Sequence, residues 1–100
     1  MTELLVSLCA QAEIEEAIRW YEEATPGMGS AFHESLYDAL TFVSENPEAS
    51  PVAFDQFRCK VVKKFPFLVF YLLHAETIEV IAVAHQKRRP GYWRDLLDHK

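Results

Sequence analysis

The chain has 100 residues, half of them apolar, and a formal net charge of −5. That is enough for one domain, residues 1–100, built around one hydrophobic core, and too little to enclose a deep cofactor pocket. The charge is unevenly spread: residues 1–56 hold eleven carboxylates and the single base Arg19, whereas residues 57–100 hold nine Lys/Arg and four acids. A local field rather than net charge steers association, so the basic half is where a partner is expected.

Taken in chain order, residues 4–8 (Leu-Leu-Val-Ser-Leu) read as a short first strand. From Ala10 the period changes: Ile14, Ala17, Ile18, Tyr21 and Ala24 recur at helical spacing, with Glu13, Glu15, Glu16, Glu22 and Glu23 on the remaining faces as a solvated surface. Pro26-Gly27 marks a turn. A second helix then runs through Met28, Phe32, Leu36, Ala39, Leu40 and Val43, and stops near Asn46-Pro47, because proline disfavours helix in the residue before it. Two helices joined by so few residues are expected to pack as an antiparallel hairpin.

After a loop over 48–55 the period falls to two. Phe57, Cys59, Val61 and Phe65 share one face of a strand, and Arg58, Lys60, Val62 and Lys64 share the other. Phe65-Pro66-Phe67 turns the chain into residues 68–73, apolar on both faces as a central strand should be. His74-Ala75-Glu76 turns it again into residues 77–85, and 90–97 is read as a short terminal helix. The outcome is an α+β fold, β-αα-βββ(-α), with an antiparallel sheet and the helical hairpin on one face. If Phe57, Cys59 and Val61 point at the helices, Arg58, Lys60 and Lys64 point into an open concavity on the far side, where Arg88 and Arg89 converge with them. The N-terminal run has no basic segment and too short an apolar stretch for a signal or a membrane span, which points to a cytoplasmic protein with no membrane contact. Cys9 and Cys59, fifty residues apart and without CxxC spacing, are read as reduced thiols. Gly27 and Gly29 lack the Lys-Ser/Thr of a phosphate-binding loop, and no metal or other cofactor is expected.

These segments resemble the RelE/ParE superfamily of type II toxin–antitoxin toxins, and more closely its ParE-like, "plasmid stabilization" branch. The matching pieces are the run from Ala17 to Glu22 containing Trp20-Tyr21, then Pro26-Gly27-Met28-Gly29 followed by Phe32, then Asn46-Pro47, Phe57-Arg58, Phe65-Pro66-Phe67 and Phe70-Tyr71. The run from Val80 to His85, Arg88-Arg89-Pro90 and Tyr92-Trp93 complete them in the right order over nearly the whole chain. The resemblance implies a small growth inhibitor neutralised by a cognate antitoxin, with operator DNA contacted only through that antitoxin. Two modes occur under the one fold: gyrase inhibition by ParE-like members and cleavage of mRNA on the ribosome by RelE-like members. A strongly basic surface suits the approach to ribosomal RNA, so a net charge of −5 favours the gyrase-binding mode. A third alternative is an interaction module with this fold and no toxicity.

Candidate partner-binding residues are Trp20, Arg58, Lys60, Lys64, Arg88 and Arg89. Trp20 lies off the apolar stripe of its helix, as a partner anchor or as packing across the sheet edge or against the second helix. The cations would hold an acidic partner or phosphates, or simply form a solvated strand face that resists edge pairing. Catalytic residues are not assigned. On the ribonuclease alternative, His85 or Tyr92 would move protons, and Arg58, Lys60, Arg88 and Arg89 would stabilise charge on the reacting phosphate. The simpler reading of His85 is a histidine that closes its strand by hydrogen bonding.

Overall fold

The computed structural model describes residues 3–87. In order they form β1 (Glu3–Val6), α1 (Leu8–Ala24), α2 (Met28–Glu45), β2 (Val52–Phe54), β3 (Phe57–Val61), β4 (Phe67–His74) and β5 (Thr77–His85). The strands make one five-stranded sheet in the order β1-β5-β4-β3-β2. The α+β architecture, the helical hairpin on one face and the β3-β4-β5 meander are as read from the sequence. Two details differ. The sheet is mixed, because β1 pairs parallel to β5, and part of the expected 48–55 loop forms the short edge strand β2. The terminal helix expected at 90–97 lies outside the described residues.

Ser7 explains why α1 begins two residues earlier than its apolar period suggests. Its N–H bonds the Val80 carbonyl at 3.0 Å, continuing the β1–β5 ladder. Its Oγ accepts the Ala10 N–H at 3.0 Å as the helix N-cap and donates to the Ile81 carbonyl at 3.0 Å. One residue thus closes the strand and starts the helix. Beyond the end of β1, Glu13 Oε1 accepts the Val83 N–H at 2.9 Å, so a helix side chain takes over the ladder where the edge strand stops.

The hairpin is held at the Pro26-Gly27-Met28-Gly29 turn. Gly27 has φ of +92°, in the left-handed region that glycine enters without a Cβ penalty. Gly29 is a close approach: a Cβ there would lie 2.8 Å from the Ile18 carbonyl oxygen and 3.0 Å from the Cβ of Glu22. The Glu22 carboxylate accepts the Gly27 N–H at 3.0 Å and the Gly29 N–H at 3.0 Å, supplying acceptors to amides at the start of α2. Glu13 and Glu22 therefore have structural partners, where the helical pattern alone suggested a solvated acidic face.

Under the hairpin, the rings of Tyr21, Phe32, Phe65 and Phe67 meet at centroid distances of 5.0–6.1 Å, and Phe32, Leu36, Ala39 and Val43 bury the stripe of α2. Tyr71 is fully buried, and its hydroxyl donates to the Pro47 carbonyl at 2.9 Å, tying β4 to the end of α2. A register shift in the β4–β5 ladder leaves Phe70 opposite Ala82 and Tyr71 opposite Val80, with Ile81 as the extra residue. The bulge lets Val80 and Val83 face the helices while Ile81 and Ala82 join a second apolar cluster with Phe57, Phe70 and Ala84. Apolar residues on both faces of β5 follow from that kink.

Gly29→Ala should destabilise the fold by about 1–3 kcal/mol through overpacking at the helix crossing. Urea unfolding followed by far-UV circular dichroism measures it; an unchanged midpoint would contradict the close approach.

Candidate partner-binding surfaces

Residues opposite one another in an antiparallel ladder share a face. Arg58 is opposite Tyr71 and Lys60 is opposite Val69. Tyr71 and Val69 belong to the core under the helices, as does Val62. Arg58 and Lys60 therefore lie on the helical side of the sheet, and the far face of β3 carries Phe57 and Cys59 with Phe70 and Leu68. This reverses the expected arrangement, in which the cations lined an open concavity opposite the helices. The alternation was read correctly, but which of the two faces meets the helices is a matter of docking. Lys64 belongs to neither face: it sits in the turn after β3, with φ of +71°.

At the helical side the two cations do different things. Arg58 Nη1 donates to the Ser50 carbonyl at 2.7 Å and to the Glu48 carbonyl at 3.3 Å, so its guanidinium staples the loop that leaves α2. Lys60 extends past the flank of α2, with Nζ 4.1 Å from the centroid of the Phe42 ring. A cation–π contact at an exposed site is worth about 0.5–1 kcal/mol, so a stronger partner can draw the ammonium away. Lys60, Lys63 and Val61 on one side, and Ser35, Asp38, Ala39 and Phe42 of α2 on the other, line a groove of about 260 Å³. Phe42 is exposed there, whereas Val61, 57% exposed, alternates with Lys60 and turns its side chain toward the opposite face.

Trp20 and His85 line one cleft at the opposite margin of the helical layer. Trp20 is 64% exposed and lies edge-on to Tyr21, with centroids 5.1 Å apart. With Glu13, Glu16, Ala17, Phe67, Val83, Ala84 and His85 it lines a cleft of about 150 Å³ between α1 and the end of β5. The His85 ring packs against Phe67 at 5.5 Å, and its Nδ1 accepts the Lys87 N–H at 3.1 Å, which places the proton of the neutral ring on Nε2. His85 ends β5 whereas Arg58 and Lys60 lie on β3, and β4 separates the two strands. The described residues thus form two surfaces, not one basic concavity. Arg88, Arg89 and Tyr92 lie outside the described residues.

Sequence reasoning missed Lys63, Phe42 and Val61 as neighbours. The adjacent apolar pair Val61-Val62 was the available signal, since one member of such a pair must face away from the core at a strand end; Val61 is exposed and Val62 is buried. Among the described residues no group of three or more His, Cys, Asp or Glu is arranged to hold a metal ion, and no helix is long and apolar enough to cross a membrane.

Residues 4–90 match the family profile of the ParE toxin of the type II toxin–antitoxin system parDE. The chain belongs to the ParE toxin family. Among solved structures it is similar to a chain described as the chromosomal ParDE toxin–antitoxin system from P. aeruginosa, with a TM-score of 0.74 and 15% identity over 85% of this chain and 96% of that one. At that identity the likeness speaks for the fold. No curated protein gives a significant match. The family assignment makes this ParE-family chain a type II toxin component, and the Pro26–Gly29 turn and the Phe65-Pro66-Phe67 turn that carried the resemblance prove to be the helix crossing and the entry to β4.

Two measurements check these surfaces. Arg58→Met should cost about 1.5–3 kcal/mol of stability, the usual range for a charged donor on backbone carbonyls, read as a fall in the urea midpoint; an unaltered midpoint would remove the staple. Burial raises the pKa of the Cys59 thiol above its ordinary value, so less thiolate is present at any given pH. In a Cys9→Ser background, alkylation by iodoacetamide at pH 8 should accordingly run several-fold slower in the native protein than in urea; equal rates would show the thiol to be open.

Proposed function

We propose that this chain arrests growth by binding DNA gyrase in the cytoplasm, and that a cognate antitoxin encoded beside it holds it inactive. Membership of the ParE toxin family over residues 4–90 carries the reading. The charge distribution supports it. A protein of net charge −5 is poorly suited to approach ribosomal RNA, whose recognition draws on neutralising many phosphates. The arrangement of side chains adds a second support: His85 is apart from Arg58 and Lys60, and Arg58 is committed to the 48–50 backbone. A proton-transfer group and charge stabilisers must converge within hydrogen-bond reach of one phosphate to cleave RNA. A toxin that works by occupying its target needs no such convergence.

On this reading, Trp20 and the lysines of the β3 end, Lys60 and Lys64, are partner contacts, together with Arg88 and Arg89. Trp20 has the character of an anchor: a large ring, mostly exposed and braced by Tyr21. Arg58 contributes through the loop it holds. Operator DNA is engaged through the antitoxin. The competing reading, a metal-independent mRNA endoribonuclease acting on the ribosome, draws support from the neighbouring Lys60, Lys63 and Lys64, a local basic patch within an acidic protein.

The deciding measurement is a supercoiling assay with purified toxin and gyrase, alongside sequencing of transcripts from arrested cells. Inhibition that rises with toxin concentration, with transcripts intact, is the expected result. Undiminished gyrase activity at toxin excess, with newly cut mRNA, would replace it with the ribonuclease.

A further inference from the structure

We infer that the groove between α2 and β3 receives an apolar side chain of the neutralising partner, flanked by carboxylates that meet Lys60 and Lys63. The inference rests on the toxin–antitoxin reading and assigns its docking point. The α2 wall of the groove is apolar, formed by Ala39 and Phe42, and Phe42 is exposed; Val61 touches only the β3 end, because its side chain alternates with Lys60 toward the opposite face. Its volume of about 260 Å³ exceeds the roughly 150 Å³ in which an apolar cavity takes up a benzene ring, so one aliphatic or aromatic side chain fits with room for its backbone. An open greasy wall beside two ammonium groups is complementary to an acidic, apolar-anchored peptide.

The charges also orient the occupant. Lys60 and Lys63 come from the β3 side, and Asp38 stands on the α2 side. Carboxylates of the partner are drawn to the β3 rim and repelled from the α2 rim, which sets the direction in which the segment lies. The same Asp38, with the apolar wall beside it, argues against a nucleic-acid backbone, which would carry phosphate past both sides. Lys60 is held over the Phe42 ring. A partner carboxylate that pairs with its ammonium therefore uncovers the ring for the anchor, so the electrostatic and apolar contacts form together.

The test is calorimetric titration of the full toxin with the antitoxin encoded beside it. Lys60→Glu/Lys63→Glu should weaken binding by about thirtyfold or more, since like charges are then placed face to face. Phe42→Asp should weaken it about tenfold through the same repulsion at the apolar wall. Arg19→Glu/Lys87→Glu makes the same change in net charge away from the groove and should stay within about threefold of wild type at moderate salt. Thermal melts confirm that each variant is folded, and Phe42→Ala serves as a neutral substitute if a charged variant is not. Equal weakening by both charge pairs would overturn the inference in favour of a diffuse field, and so would unweakened binding by the groove variants. Loss in the groove variants of binding to a single-stranded 12-nucleotide RNA, with antitoxin affinity intact, would give the groove to nucleic acid. Concentration-dependent self-association abolished by the same variants would give it to a second copy. If wild-type toxin and antitoxin do not associate at all, the toxin–antitoxin reading falls, and the docking point with it.

Discussion

A charged side chain on the covered face of a sheet must reach water past whatever covers it, or be paired. That constraint organises the protein. Arg58 and Lys60 stand on the same side as the helices, two residues apart on β3, and solve the problem in different ways. Arg58 turns into the loop after α2 and uses backbone carbonyls as acceptors, so a partly buried charge is held by hydrogen bonds. Lys60 carries its ammonium out to the flank of α2, where it lies over the exposed Phe42 ring. The α2–β3 groove exists because the layer ends there, with apolar wall and charged rim side by side.

The other margin is managed by polar side chains of α1. β1 covers β5 only as far as Val80, and the chain then turns into a helix that crosses the remaining edge. Ser7 and Glu13 satisfy the Ile81 carbonyl and the Val83 amide in turn. An uncovered edge invites pairing with other chains, and here the helix and its N-cap supply one donor, the Ser7 hydroxyl, and one acceptor, the Glu13 carboxylate. Trp20 and His85 line the cleft that results. The two margins thus differ in chemistry: one is rimmed with lysines, the other with glutamates around a tryptophan.

Much of the fold was legible in the pattern of residues. The helical period of α2, the turn at Pro26-Gly27 and the strand period of β3 each report a local geometry that the chain adopts wherever it packs. The order of motifs pointed to the ParE family, and the family profile agrees. The angle of Trp20 on α1 left exposure and packing both open, and the fold leaves the ring 64% exposed. The site was legible only in part. Arg58, Lys60 and Lys64 were read as one basic face, yet Arg58 serves the loop, Lys60 lies over Phe42, and Lys64 occupies a turn. Glu13 and Glu22 looked like solvent-facing charge, and their partners come from segments seventy and seven residues away at the most distant bonds. Contacts of that kind leave no periodic trace.

By itself the sequence determined both helices and their hairpin, the meander and the split of charge between the two halves, but not the edge strand β2. Each of these depends on residues near one another along the chain. Only the tertiary structure decided which face of β3 turns to the helices, that β1 joins beside β5 in parallel, and that Phe42 meets Lys60 across a groove. The physical reason is a symmetry in the code. A period of two divides a strand into two faces without labelling either one. Val62 shares its face with Arg58 and Lys60, and the docking of α1 and α2 over Val62, Val69 and Tyr71 supplies the label.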